Sequence, residues 1–120
     1  MRAWVEEYNA MQNSGDTAKF RSLSRKCAAC ASAADRIDAF YRAGGYAKTD
    51  GLSIRALKVS KPNDKHQRAV TIHVSAAPTT YVEAAGEPVQ RLPGGTPILQ
   101  LSLEPRGLAW NVFEIVQVAQ

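Results

Sequence analysis

The feature that most constrains this chain is a change of period at Gly44-Gly45. Before that pair, apolar residues recur at spacings of three and four; beyond it they recur at two. Helical sequence followed by stranded sequence, without alternation, defines an α+β domain. A chain of 120 residues makes one domain (1–120), with a helical part at 1–45 and a sheet part at 46–120. The expected architecture is three N-terminal helices packed on one face of a strongly curved, mainly antiparallel sheet.

The strongest helix signal lies just before the glycines. Cys30, Ala33, Ala34, Ile37, Phe40 and Tyr41 share one helical face, while Asp35, Arg36 and Arg42 lie mostly off it. Asp38 and Arg42 stand four apart in the order that favours an intrahelical pair. The spacing predicts a helix over 28–43, stopped by Gly44 and Gly45. Upstream, Trp4, Val5, Tyr8 and Met11 follow helical spacing, with Glu6 and Glu7 placed in the first turn. Asn13-Ser14-Gly15 breaks this helix, and Asp16 can cap a short second one over 17–23, carrying Phe20 and Leu23.

Past Gly45, residues 46–50 read as a connector. Leu52, Ile54 and Ala56 then alternate with polar residues before the phase slips to Leu57 and Val59, which predicts a β-bulge near Ala56-Leu57. Lys61 to Lys65 is a turn, and Val70, Ile72 and Val74 form the apolar face of the next strand. Thr79 to Ala84 and a short edge segment at Val89 to Leu92 follow. Ile98 to Glu104 alternates, Pro105-Arg106-Gly107 turns, and Trp110 to Val118 is apolar on both faces. That last run is expected to be a central strand covered on both sides.

Cys27 and Cys30 form C-A-A-C at the start of the third helix. A structural disulfide, a redox pair, half of a metal site and two free buried thiols are all open to this spacing. A redox C-x-x-C normally follows a strand in a βαβ unit, whereas this one follows helical sequence, so the structural bond is favoured. A metal site would need further ligands, and His66 and His73 stand on unrelated segments. No metal and no cofactor is expected.

Net charge is +4, and the basic residues are spread out except for Lys58, Lys61, Lys65 and Arg68 around one turn. A solvated loop tip explains these, so nucleic acid is not an expected partner. No run of eighteen apolar residues is present, so no spanning helix is expected. Met1 leads almost directly into a helix, and the expectation is a natural precursor with a leader and linker upstream.

The phrase WVEEYNAMQNSGDTAKFRSLS resembles the opening helix pair of the nuclear transport factor 2-like (SnoaL-like) fold, a cone in which three helices pack into the concave face of a bent sheet. Together with CAACASAADRIDAFYRAGG, it resembles a family of uncharacterised actinobacterial lipoprotein domains that carry a C-x-x-C, a following helix and a Gly-Gly. The resemblance covers Trp4 to Gly45. It implies export, an oxidising compartment and a lipid anchor upstream of this chain, and it implies no known activity. The signal peptide and lipobox cysteine of the precursor pattern are not in this sequence.

Enzymes of that fold place an acid, base or tyrosine inside the cone. The candidates are Tyr8, Asp35, Asp38, Tyr41, His73 and Tyr81. Each also has a structural explanation: tyrosines on core stripes, acids on a helix surface, a histidine opposite the apolar face of a strand. No nucleophile–base pair and no phosphate-binding glycine spacing is visible. The function expected is a non-catalytic exported or cell-envelope domain that binds a small ligand or a protein partner. The alternative is a small isomerase- or dehydratase-like acid–base enzyme using the cone pocket, with Asp38, Tyr8 or His73 moving the proton. Sheets of this fold often pair across the face away from the helices, and Thr71, His73, Ser75, Gln100 and Ser102 would supply a partly polar homodimer interface.

Overall fold

A computed structural model describes residues 1–119. Three helices come first: α1 (Arg2–Ser14), α2 (Ala18–Ser22) and α3 (Ala28–Arg42). Seven strands follow: β1 (Tyr46–Thr49), β2 (Leu52–Val59), β3 (Arg68–Ala76), β4 (Thr79–Val82), β5 (Gln90–Leu92), β6 (Ile98–Arg106) and β7 (Ala109–Ala119). The α+β class and the order of elements agree with the sequence reading.

The helix ends follow local chemistry. In α1, Trp4, Val5 and Met11 are buried, and the Gly15 N–H closes the last turn on the Met11 carbonyl. Because α1 begins at Arg2, Glu6 and Glu7 fall in its second turn, away from the N-terminal dipole where they were expected. The Asp16 carboxylate accepts from the Ala18 N–H as α2 begins. At the end of α3 the Gly45 N–H donates to Phe40 O and the Gly44 N–H to Tyr41 O. That is the Schellman pattern, and Gly44 supplies the left-handed residue it requires, at φ +87°.

The expectation of one strongly curved sheet is corrected. The strands form two antiparallel sheets, β1-β4-β5 and β2-β3-β6-β7, neither of them closed or strongly curled. The bend is taken at a corner instead. Strands β1 and β2 are separated by Asp50-Gly51, and their partners β4 and β3 by Ala77-Pro78. Pro78 has no N–H to continue a ladder, so two long strands become four short ones. The Ala77 N–H donates to Gly51 O across the break, and Ala76 exchanges two backbone hydrogen bonds with Gly95. The segment 46–49 is therefore a strand, too short for its pattern to register as one.

The large sheet turns Val70, Ile72, Val74, Leu99, Leu101 and Leu103 toward the helices, where they join Trp4, Met11, Phe20 and Ile37 in the core. The phase slip in β2 is real: the register shifts between Ile54 and Ala56, leaving Arg55 as the extra residue. Strand β7 corrects a second expectation. It pairs only with β6 and is an edge strand, with Val116 and Val118 about half exposed. Its register shifts at Phe113. Val112 faces the core before the shift and Ile115 after it, so a run that looks apolar on both faces is one buried face changing phase.

Candidate functional site

The helices and the small sheet enclose a pocket of about 130 Å³. Helix α1 contributes Tyr8, Met11 and Gln12, one turn of its inner face. Helix α3 contributes Ala33, Arg36, Ile37 and Phe40, again at spacings of three and four. The floor is Ala47, Thr79, Tyr81 and Leu92; Ala47 pairs with Tyr81 and Thr79 with Leu92, which puts all four on one sheet face.

Three of the eleven lining residues are aromatic: Tyr8, Phe40 and Tyr81. The rings of Phe40 and Tyr81 stack with centroids 5.5 Å apart and planes within 10°. Tyr8 packs on Trp4 (5.6 Å) and Phe20 (5.7 Å). Its burial raises the phenol pKa, and the positive charge of Arg36 acts in the opposite sense. The Arg36 guanidinium lies 5.7 Å from the Phe40 ring centre and forms no ion pair with the described residues. The side chains of Tyr8, Gln12, Arg36 and Thr79 make no hydrogen bonds within the described residues, whereas the Tyr81 hydroxyl donates to Gln90 at 3.0 Å.

The other sequence candidates lie elsewhere. Tyr41 is structural: its hydroxyl donates to Gln12 O at 2.6 Å, and the Ala47 O and N–H lie at 3.1 and 3.4 Å. Asp38 is not paired with Arg42. It accepts from Arg21 at 2.6 Å and from the Thr17 hydroxyl at 3.0 Å, and the same guanidinium nitrogen reaches Asp35 at 2.8 Å. Partial burial would raise the Asp38 carboxyl, but the hydrogen bonds from Arg21 and Thr17 outweigh it and hold the pKa below the ordinary carboxylate value. His73 is exposed on the outward face of the large sheet with Gln100. Of the six candidates, Tyr8 and Tyr81 line the pocket; Asp35, Asp38, Tyr41 and His73 do not.

Cys27 and Cys30 are joined in a disulfide, both almost wholly buried. The Cys27 sulfur also serves as the N-cap of α3, accepting from the Cys30 N–H at 3.1 Å. A more open groove of about 360 Å³ runs beside the bond, but its Arg21 is already committed to the two aspartates. Among the described residues, no three His, Cys, Asp or Glu side chains gather as a metal set. No helix of the described residues is long and apolar enough to cross a membrane.

Sequence reading misses Arg36, which has the look of a surface residue, and three asparagines. Asn9 exchanges two hydrogen bonds with the backbone of Leu52 (3.0 and 2.8 Å), Asn13 two with Thr49 (2.8 and 2.9 Å), and Asn111 two with Arg25 (2.7 and 2.8 Å). Asn9 and Asn13, four apart on α1, grip the β1–β2 corner and so fix the pocket floor against α1. An Asn four residues before another Asn is the only trace this leaves in sequence.

Three helices laid over two antiparallel sheets, with a largely apolar pocket between them, define an α+β domain. Solved structures that share this fold include two covered over most of their length. The intermembrane space region of the chloroplast protein ARC6 is similar with a TM-score of 0.69 and 9% identity, over 99% of this chain and 91% of that one. Aln2 from a Streptomyces species is similar with a TM-score of 0.57 and 12% identity, over 97% of this chain and 85% of that one. Likeness at these identities concerns the fold alone. No protein-family model matches the chain, and no curated protein matches it.

Proposed function

We propose that this chain is a non-catalytic, exported cell-envelope domain that binds a small ligand between its helices and its small sheet. The observation that supports binding over catalysis is the pocket wall. It combines aromatic and aliphatic residues with uncommitted polar side chains, while the aspartates and histidine an acid–base mechanism would draw on are engaged or face outward. The Tyr8 phenol, with its pKa raised by burial, is poorly matched to proton transfer near neutral pH.

Export is supported by the buried Cys27–Cys30 bond, since such bonds persist in oxidising compartments. Membership of the actinobacterial lipoprotein domains, with a lipid anchor upstream, is part of the proposal. So is a homodimer across the outward face that carries Thr71, His73, Ser75, Gln100 and Ser102; light scattering at a single 13.0 kDa subunit would overturn it.

Ligand binding is tested by an NMR fragment titration of the wild type and of Ala33→Phe, which fills the pocket from α3. Fragments should shift resonances of Tyr8, Phe40 and Tyr81 in the wild type and not in the variant. Shifts confined to other surfaces would overturn the reading. Fractionation and lipid labelling of the full-length precursor in an actinobacterial host test the compartment, and an unprocessed cytoplasmic product would overturn it.

A further inference from the structure

The polar groups in the pocket are unequal in kind. Arg36 brings a full positive charge and a fork of N–H donors, and Tyr8 brings a hydroxyl; the wall contains no carboxylate. Three polar side chains, Tyr8, Gln12 and Thr79, share one small space with the unpaired charge of Arg36, their polar atoms open to solvent or a ligand.

We infer that the pocket recognises a small monocarboxylate with an apolar body about one ring in size, its carboxylate held by Arg36 and Tyr8. This rests on the ligand-binding reading above. Size sets the body: a dry cavity of roughly 150 Å³ takes benzene, and this pocket offers about 130 Å³ with one open side. Charge sets the head. One guanidinium matches one carboxylate in a bidentate pair, whereas a phosphate dianion would leave charge uncompensated against apolar walls. Position agrees as well. Arg36 is solvent-exposed and held over Phe40, so its charge stands at the mouth while Met11, Ile37 and Ala47 form the inner lining. The phenol acts as the second donor: it lines the same pocket as Arg36 and, like any phenol, carries its proton at neutral pH.

The test compares benzoate with its neutral isostere benzamide by NMR titration of the 120-residue protein. Benzoate should bind at the pocket at least tenfold more tightly than benzamide. Arg36→Gln, at an exposed helix position, should erase that preference. Tyr8→Phe should weaken benzoate about threefold to tenfold, with the ring stack on Trp4 retained. Equal affinity of the two compounds, or a preference that survives Arg36→Gln, overturns the carboxylate inference while the ligand-binding reading stands. If neither compound nor any neutral fragment shifts pocket resonances, both fail.

Discussion

The Tyr41 ring lies so close over Gly15 that a Cβ on residue 15 would sit 2.5 Å from the ring Cγ. The glycine ends α1, the tyrosine rides the last turns of α3, and the tyrosine hydroxyl reaches back to Gln12 and across to Ala47. One close approach thus seats two helices and the first strand together, immediately behind the pocket.

Gly15→Ala should therefore be costly on two counts. Residue 15 has φ +79°, a left-handed conformation that costs a residue with a Cβ about 1–2 kcal/mol. Displacing the packed ring adds about 1–2 kcal/mol more. Thermal unfolding should fall by roughly 10 °C. Tyr41→Phe keeps the ring and removes only the hydroxyl, so a smaller loss of about 1–2 kcal/mol is expected. Equal effects of the two substitutions would show that the close approach does not matter.

Asn111 is nearly fully buried; it spans the N–H and C=O of Arg25, and its amide also donates to Glu104 at 3.1 Å. The neighbouring Val112 N–H donates to Leu23 O. Together they dock the segment between α2 and α3 onto the free edge of β7. Asn111→Ala should cost about 2–3 kcal/mol in denaturant unfolding, since two backbone groups lose their partners. Hydrogen exchange at the Arg25 amide should accelerate more than exchange in β3. A uniform change would place the effect on global stability alone.

These asparagines show where sequence stops being legible. The helical stripes, the α+β order and the bulge in β2 are all readable, because each is written in the spacing of neighbouring residues. The β7 run is readable as apolar but not as an edge, since an uncounted bulge at Phe113 mimics burial on two faces. Asn111 paired with Arg25, or Arg21 shared between Asp35 and Asp38, depends on positions brought together only by the fold. Arg36 reads as a surface residue because its exposure is genuine; Phe40 lies one turn along the same helix, whereas the shared pocket with Tyr8 is tertiary.

The Asp38 carboxyl gives a pH dependence with a definite sign. Its folded pKa lies below the unfolded value of about 3.9. The stabilisation is therefore complete above that value and is lost as pH falls through the folded pKa. Both partners are partly solvent-accessible, so the pair contributes about 0.2–1 kcal/mol. Asp38→Asn should flatten the acid limb of a stability-versus-pH curve below about pH 4. An unchanged limb would assign the acid sensitivity to other carboxylates.

The disulfide should behave as a structural bond. Both cysteines are almost inaccessible to a thiolate, so equilibration in glutathione buffers should give a reduction potential below about −300 mV. Closing so short a loop stabilises by about 2 kcal/mol in the chain-entropy model. Replacing both cysteines by alanine should cost that and the N-cap as well; replacing both by serine should cost less, because a serine hydroxyl caps a helix. A potential between about −230 and −120 mV would indicate redox exchange instead.

The two sheets also dictate when this protein can fold. The chain crosses from one sheet to the other between β1 and β2, returns between β3 and β4, and crosses again between β5 and β6. The small sheet must wait for β5, and the large one for β6 and β7, which leave a ribosome after every other element of the domain. Pairings such as Tyr46 with Val82 and Arg68 with Leu103 are distant in sequence, which slows folding toward the millisecond-to-second range. The helical segment 1–45 has no surface to close upon until then. Biosynthesis thus presents this domain as a single late event, in which the pocket floor, the corner and the edge strand arrive together.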